Sequence, residues 1–324
     1  MVLLRIRSRS LFESAPGPSL FPGPQLYCAQ VSSLRPPVLL LVISLGAFLG
    51  VYAVALGTGA GLELDARGVV QGFDAARLPR VHAATEDLLR TIDVSSLALI
   101  GGGIVLLALL RGAPRFALGA AAILGGANLT TQLLKPFLSR LDPLGAEASR
   151  IPETFPSGHA TVAMSLALAA VLVSPPGLRL LVALIGAGYA LLVGVALLAL
   201  GWHYPSDVAG GYLVASIWAS LALLLVSALP ARPSSRRSRP GGLARGAARA
   251  MIAIVMLGML VAGASVVLDR RAAVLEYGRA RTTFFVASAV LALLAALVVG
   301  CFLWATGRQS APARGQRLPR TMPS

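Results

Sequence analysis

The sequence predicts an all-α, polytopic membrane helix bundle in which a six-helix core is followed by two C-terminal transmembrane helices. Of the 324 residues, 56% are hydrophobic and only 13% are charged, about half the charged fraction of an average soluble domain. The mean hydropathy is +0.78. A soluble protein of this size cannot bury so much apolar surface. With only two cysteines, a disulfide scaffold is excluded as well.

Eight apolar runs are long enough, or nearly so, to cross a bilayer. A spanning helix needs about 20 apolar residues, because each residue advances 1.5 Å through a core of about 30 Å. The first run is too long and too far from the start of the chain to resemble an ordinary signal peptide. The eight runs cover 37–58, 95–111, 115–134, 159–175, 178–200, 207–229, 250–268 and 283–305.

The distribution of charge predicts the orientation of these spans. The chain has 28 basic and 13 acidic residues, and Lys135 is the one lysine among 27 arginines. If both termini are cytoplasmic, the inner segments hold 17 basic residues and one acidic residue, whereas the outer segments hold 11 and 12. This asymmetry is typical of the positive-inside rule. It also explains the net charge of +15 without a nucleic-acid partner, and none is expected.

These spans divide the chain into five regions. A stretch rich in Arg, Pro and Gly breaks the helical pattern between the sixth and seventh spans. Within the long outer segment 59–94, the stretch 76–93 predicts a short interfacial helix. The regions are the cytoplasmic N-terminal segment 1–36, the six-span core 37–229, the cytoplasmic linker 230–249, two further transmembrane helices in 250–305, and the cytoplasmic tail 306–324.

Scarce ionisable residues gather at the outer mouths of four spans. Lys135 ends the third span, and His159 begins the fourth within the tract FPSGHA. His203 and Asp207 lie between the fifth and sixth spans within GWHYPSDVAGG. Each has a plain structural interpretation, namely a snorkelling lysine, a helix start and a surface ion pair. His203 and Asp207 could also bind a metal, but no third ligand is evident. Ionisable residues grouped at membrane helix ends indicate a functional site.

The chemistry of this group favours a phosphate ligand. The peptide N–H groups of Ser157, Gly158 and His159 open a helix, and helix N-termini bind anions. Gly158 lets a ligand approach the backbone closely, and Lys135 adds a positive charge.

The histidines and the aspartate add proton-transfer and nucleophilic chemistry. If Asp207 holds one imidazole nitrogen of His203, the other nitrogen is free to attack. His159 is then placed to protonate a leaving oxygen.

Lys135, the tract 155–160 and the tract 201–210 resemble the three-part signature of the type-2 phosphatidic acid phosphatase superfamily. Its pattern is K-x6-R-P, then P-S-G-H, then S-R-x5-H-x3-D, and the resemblance covers about 37–229. It implies a six-helix core with the site at the outer ends of the third to sixth helices. It also implies a phosphohistidine mechanism without a metal or cofactor. The implied roles are nucleophile for His203, orienting carboxylate for Asp207, general acid for His159, and phosphoryl binding for Lys135, Ser157 and Gly158.

Two positions depart from that pattern. Asp142 and Leu197 stand where the family has arginines that clamp the phosphate, and a guanidinium fork matches phosphoryl oxygens well. Arg140 lies two residues from the first of these positions and is the best substitute, with Arg150 a weaker one. Neither residue replaces the arginine missing at Leu197.

The predicted function is therefore an integral-membrane phosphatase of the cell membrane. Its substrate would be a lipid-linked phosphate or diphosphate, of polyprenyl diphosphate or phosphatidic-acid type, hydrolysed on the extracytoplasmic side. Membrane lipids and this substrate are the expected partners, and the sequence predicts no particular protein partner. Two alternatives stay open: a non-catalytic lipid-phosphate-binding or assembly protein with a degenerate site, and a transporter.

Overall fold

The computed structural model describes residues 24–75, 79–90, 92, 94–138, 155–230 and 271–309. This part of the chain is built of helices joined by short turns. Its α-helices are α1 (Pro24–Val51), α2 (Gly59–Ala75), α3 (Pro79–Arg90), α4 (Val94–Leu110), α5 (Pro114–Ala121), α6 (Ala127–Leu134), α7 (Gly158–Val173), α8 (Arg179–Ala199), α9 (Pro205–Ala228), α10 (Arg271–Ala280) and α11 (Thr282–Gln309). Two π-helical turns, Tyr52–Leu56 and Ala122–Gly126, follow α1 and join α5 to α6.

The predicted membrane bundle is confirmed by the length and apolar character of these helices. Within the described ranges, five helical segments are long and apolar enough to cross a membrane, and two shorter apolar helices accompany them. All seven coincide with predicted runs to within a few residues. The remaining predicted run, 250–268, lies outside the described residues, as does almost all of the linker. The five segments are Leu34–Leu56, Pro114–Leu134, Arg179–Ala199, Pro205–Ala228 and Thr282–Arg308, and the shorter two are Ser95–Leu110 and Gly158–Val173.

The helix α9 forms the centre of the bundle. It packs against α1, α7 and α11, and its side chains along the inner turns are buried. On its α1 side, the hydroxyls of Ser44 and Ser216 form a buried hydrogen bond of 2.7 Å. Small residues let neighbouring helices approach α9, which is how membrane helices pack when lipid and side chains are equally apolar.

The third span contains the second π turn and carries Lys135 at its end. A Cβ on Gly126 would lie 2.3 Å from the ring of Trp218, so only glycine lets α9 pack here. The Trp218 indole N–H donates to the hydroxyl of Thr130 over 2.9 Å. Such π turns are rare and occur frequently near functional sites.

Several polar side chains inside the bundle have protein partners. The Asn128 amide donates to the Leu124 carbonyl over 2.7 Å and to the Ser165 hydroxyl over 3.2 Å. The hydroxyls of Thr131 and Thr161 are 3.0 Å apart. These bonds join the third span to α7, and in a bilayer such groups must find partners within the protein.

The described residues between the first two spans are mostly helical. The predicted helix in 76–93 is found as α3, Pro79–Arg90, with an exposed ion pair between Glu86 and Arg90. The helix α2 precedes it and was not predicted. It packs against α8, α9 and α11 and so reaches the start of the central helix α9.

Candidate active site

The tract P-S-G-H forms the N-terminus of α7. Ser157 is the N-cap, with extended backbone at φ −67° and ψ 123°, and its hydroxyl accepts from the Ala160 amide over 3.4 Å. The side chain of Ser157 is fully buried. The first amides of a helix have no partner inside it, so Gly158 and His159 present a backbone site suited to an anion.

Lys135 lies at the other side of this helix start. It is the C-cap residue of α6. A Cβ built on Gly158 would be 3.8 Å from Lys135 Nζ and 3.4 Å from Gln132 Nε2. The structure therefore brings the ammonium group beside Gly158, as the sequence predicts, and adds the side-chain amide of Gln132, which sequence reasoning missed.

His203 is held in the turn between α8 and α9. Its ring is buried, and its Nδ1 lies 3.4 Å from Asp207 Oδ2. The same carboxylate oxygen accepts from the Tyr204 amide over 2.9 Å, which fixes it in the first turn of α9. Asp207 is fully buried. A carboxylate placed at Nδ1 favours the tautomer in which Nε2 carries the lone pair.

The two histidines face each other across the site. Their ring centroids are 6.2 Å apart and the ring planes meet at 62°. Trp202, which sequence reasoning also missed, lies 5.9 Å from the His159 ring and is 38% exposed. The site is thus open on the side of this indole.

Close backbone packing ties the two histidine tracts together. The Ser157 amide donates to the Asp207 carbonyl over 2.9 Å. The Thr161 hydroxyl donates to the Ser157 carbonyl over 2.8 Å. A Cβ on Gly211 would lie 2.7 Å from the Ser157 carbonyl oxygen, and one on Gly210 would lie 2.6 Å from the Phe155 ring. The two glycines of GWHYPSDVAGG therefore allow α9 to touch the start of α7.

A second carboxylate reaches the start of α9 from outside the motifs. Asp65, on α2, is buried. Its Oδ1 accepts from the Ser206 amide over 3.2 Å, and its Oδ2 accepts from the Ser206 hydroxyl. The spacing of Asp65, Gly68 and Gly72 places them on one helical face, but it does not identify Ser206 as the partner.

Of the two positions that depart from the arginine pattern, the structure describes only Leu197. Asp142, Arg140 and Arg150 lie outside the described residues, so the proposed substitution by Arg140 stays a prediction. Leu197 is fully buried on α8 and brings no charge to the site. Among the described residues, no group of three His, Cys, Asp or Glu side chains is arranged to hold a metal ion.

Fold and geometry together define a membrane helix bundle with two histidines and a lysine gathered at one end. Residues 116–231 match the family model described as the PAP2 superfamily. This segment holds Lys135 and both histidine tracts, so the resemblance read from the motifs is confirmed over these 116 of the 324 residues.

One solved structure is also similar to the chain. It is the crystal structure of the first transmembrane PAP2 type phosphatidylglycerolphosphate phosphatase from Bacillus subtilis. The two are 25% identical, the match covers 59% of this chain and 92% of that chain, and the TM-score is 0.43. The comparison with curated proteins finds no match. The family match and the site support a membrane lipid phosphatase.

Proposed function

We propose that this protein hydrolyses a lipid-linked phosphate or diphosphate through a phosphohistidine intermediate. The observation that supports it best is the arrangement of His203, whose Nδ1 faces a buried carboxylate while a second histidine ring lies 6.2 Å away. This arrangement would supply a nucleophile, its orienting group and a second proton-transfer group. No metal or cofactor takes part in the proposed chemistry.

In the first step, Nε2 of His203 attacks the phosphorus atom of the bound phosphate ester. The N–P bond forms as the bond between phosphorus and the lipid oxygen breaks. Asp207 stabilises the positive charge that develops on the imidazole, and His159 donates a proton to the departing oxygen. The lipid leaves as an alcohol, or as a monophosphate when the substrate is a diphosphate.

In the second step, water attacks the phosphohistidine. The now neutral His159 accepts a proton from that water, the N–P bond breaks, and inorganic phosphate leaves with His203 restored. The same histidine therefore serves first as acid and then as base, as microscopic reversibility requires.

The phosphoryl oxygens would be held by the start of α7 and the end of α6. The Gly158 amide would supply a donor that needs no rearrangement, and Lys135 Nζ lies beside it. The predicted Ser157 amide is already engaged with the Asp207 carbonyl, so Ser157 would contribute as the buried cap that positions Gly158. Preorganised donors aimed at developing charge are among the largest contributions to catalysis. Arg140 is proposed as a further cation at this site.

The position of the site suits a substrate anchored in lipid. Phe137, two residues after Lys135, is 78% exposed, and Trp202 is 38% exposed beside His159. Tryptophan is enriched at the membrane–water interface, and an exposed phenylalanine can contact lipid. A phosphate head group would enter the site while its acyl or polyprenyl chain stays in the bilayer. The charge asymmetry of the sequence supports an extracytoplasmic site with both termini in the cytoplasm.

The decisive experiment measures phosphate release by the purified protein in detergent or nanodiscs. Radiolabelled phosphatidic acid and a polyprenyl diphosphate represent the two substrate types. We expect release to disappear in His203→Ala and to persist in His82→Ala, a matched control on α3. A trapped phosphoenzyme should be acid-labile and base-stable, and EDTA should not inhibit. A phosphoserine, or a firm requirement for added metal, would contradict the mechanism.

A second candidate function is favoured by the burial of Leu197 at an expected arginine position. Without that cation, the pocket would bind a lipid phosphate but not turn it over. Binding of the two labelled lipids with no release, in wild type and His203→Ala alike, would support this non-catalytic function. If the protein is an enzyme, Arg140→Ala should lower turnover. Unchanged turnover in this variant would contradict the proposal that Arg140 takes the place of the family arginine at Asp142.

A further inference from the structure

We propose that Asp65 is a positioning residue that fixes the loop carrying His203, so that α2 acts as a clamp on the candidate site. This inference rests on the proposed function, because it assigns α2 a role in the same reaction. The helix α2 lies outside the segment that matches the superfamily model. The clamp is defined here as the buried face of α2 formed by Asp65, Gly68 and Gly72.

The clamp contacts both ends of the His203 loop. Asp65 accepts two hydrogen bonds from Ser206, one from its amide and one from its hydroxyl. Three residues on, a Cβ at Gly68 would lie 3.0 Å from Pro205 Cγ. Four residues further, a Cβ at Gly72 would lie 2.6 Å from the Leu198 carbonyl oxygen.

This spacing places the three contacts on one side of the helix. Residues separated by three and four positions share a helical face. The opposite face of α2 carries the exposed ion pair of Glu63 and Arg67. The loop from Leu198 to Ser206 therefore rests on α2, while the start of α7 holds it through Ser157 and Asp207.

The charge of Asp65 suits its position. Its carboxylate faces an amide in the first turn of α9, where the partial positive charge of the helix N-terminus favours an anion. The next residue after Ser206 is Asp207, whose side chain holds Tyr204 and His203. A shift of the first turn of α9 would therefore move the carboxylate that orients the nucleophile.

The expected kinetic signature is a loss of turnover rather than of substrate binding. Asp65 acts through the amide and hydroxyl of Ser206, so the KM of Asp65→Ala should stay within about twofold of wild type. Displacing the nucleophile lowers the rate of the chemical step steeply, and we expect kcat to fall by between about ten- and a hundredfold. Asp65→Asn should recover much of this loss, because its amide oxygen still accepts from the Ser206 amide.

The test compares wild type, Asp65→Ala, Asp65→Asn and the matched control Gln71→Ala. Gln71 lies on the same helix and accepts from the Phe284 amide over 3.2 Å, which ties α2 to α11 rather than to the His203 loop. Phosphate release gives kcat and KM, and hydrogen–deuterium exchange reports the amides of 203–208. We expect slower phosphate release and faster exchange of the amides of 203–208 in Asp65→Ala only, with both restored in Asp65→Asn.

The outcomes separate this inference from the proposed function. Unchanged exchange at 203–208 in Asp65→Ala would overturn the clamp whatever the activity. An active wild type with equal losses in Asp65→Ala and Gln71→Ala would also overturn it, because α2 would then act only through stability. A wild type that releases no phosphate from any lipid would overturn the proposed function, and the clamp would be decided by exchange alone.

Discussion

The amide of Ser157 donates to the backbone carbonyl of Asp207 over 2.9 Å, across two helices that are 50 residues apart in sequence. Ser157 caps the helix that carries His159, and the side chain of Asp207 lies 3.4 Å from His203 Nδ1. The two histidine tracts are thus joined by main chain, which side-chain substitutions do not remove. Variants of the individual side chains should therefore report on chemistry more than on folding.

Asp207→Asn should reduce kcat strongly while leaving the bundle folded. The amide of Asn cannot stabilise the imidazolium, and it favours the wrong tautomer of His203, which in a comparable triad costs about ten-thousandfold. We expect a loss of between about a hundred- and ten-thousandfold in phosphate release. An Asp207→Asn protein with wild-type kcat would show that the carboxylate has no part in the reaction.

His159→Ala should slow the hydrolysis of a substrate more strongly when its leaving group needs a proton. Hydrolysis of a lipid alcohol ester should nearly stop. A nitrophenyl phosphate, whose phenolate leaves unprotonated, should lose much less. The measurement is the ratio of kcat/KM values for the two esters in wild type and variant. Equal losses on both esters would argue against His159 as the general acid.

Lys135→Ala should lower kcat/KM by about a hundred- to a thousandfold, the usual cost of removing one donor to a transition-state oxygen. Lys135→Arg should keep part of the activity, since it retains the charge but not the compact ammonium group. Arg67→Ala, an exposed cation on the outer face of α2, is the control for a general change in charge. If Lys135→Ala is as active as this control, Lys135 does not take part in the reaction.

Gly211→Ala should separate the two histidine tracts. The added methyl group would lie 2.7 Å from the Ser157 carbonyl oxygen, whereas at Gly188 on α8 it would meet nothing within 4 Å. Overpacking of this kind costs about 1–3 kcal/mol. Gly211→Ala should therefore melt at a lower temperature and lose phosphate release, and Gly188→Ala should do neither. Comparable melting temperatures for the two variants would show that the backbones are free to separate.

The orientation is open to cysteine labelling in intact cells. In a background of Cys28→Ser and Cys301→Ser, we expect Arg67→Cys to react with a membrane-impermeant maleimide added outside. Arg308→Cys should react only after lysis. Both native residues are exposed arginines at opposite ends of the bundle. The reverse pattern of labelling would place the candidate site in the cytoplasm.

The spans and the gathering of the motifs were predictable because each rests on a local pattern. Apolar runs identify the helices, and the placement of Lys135, His159 and His203 at span mouths brings them to one end of the bundle. The contact between Asp65 and Ser206 was not predictable, because it joins residues 141 positions apart. A carboxylate in a polar outer segment looks like a solvated one until the tertiary packing is known. The same is true of Leu197, whose burial depends on neighbours rather than on its own sequence.

The contact of α2 with α11 has a consequence for how the protein is made. Gln71 binds the amide of Phe284, and a Cβ on Gly72 would lie 2.9 Å from the Phe284 ring. The ribosome synthesises α11 after all the spans that carry the histidines and the lysine. The helix α2 therefore gains its contact with Phe284 only after those spans have been made. Long-range contacts of this kind form late and slowly, so competence for catalysis should appear after translation of α11 rather than after the sixth span.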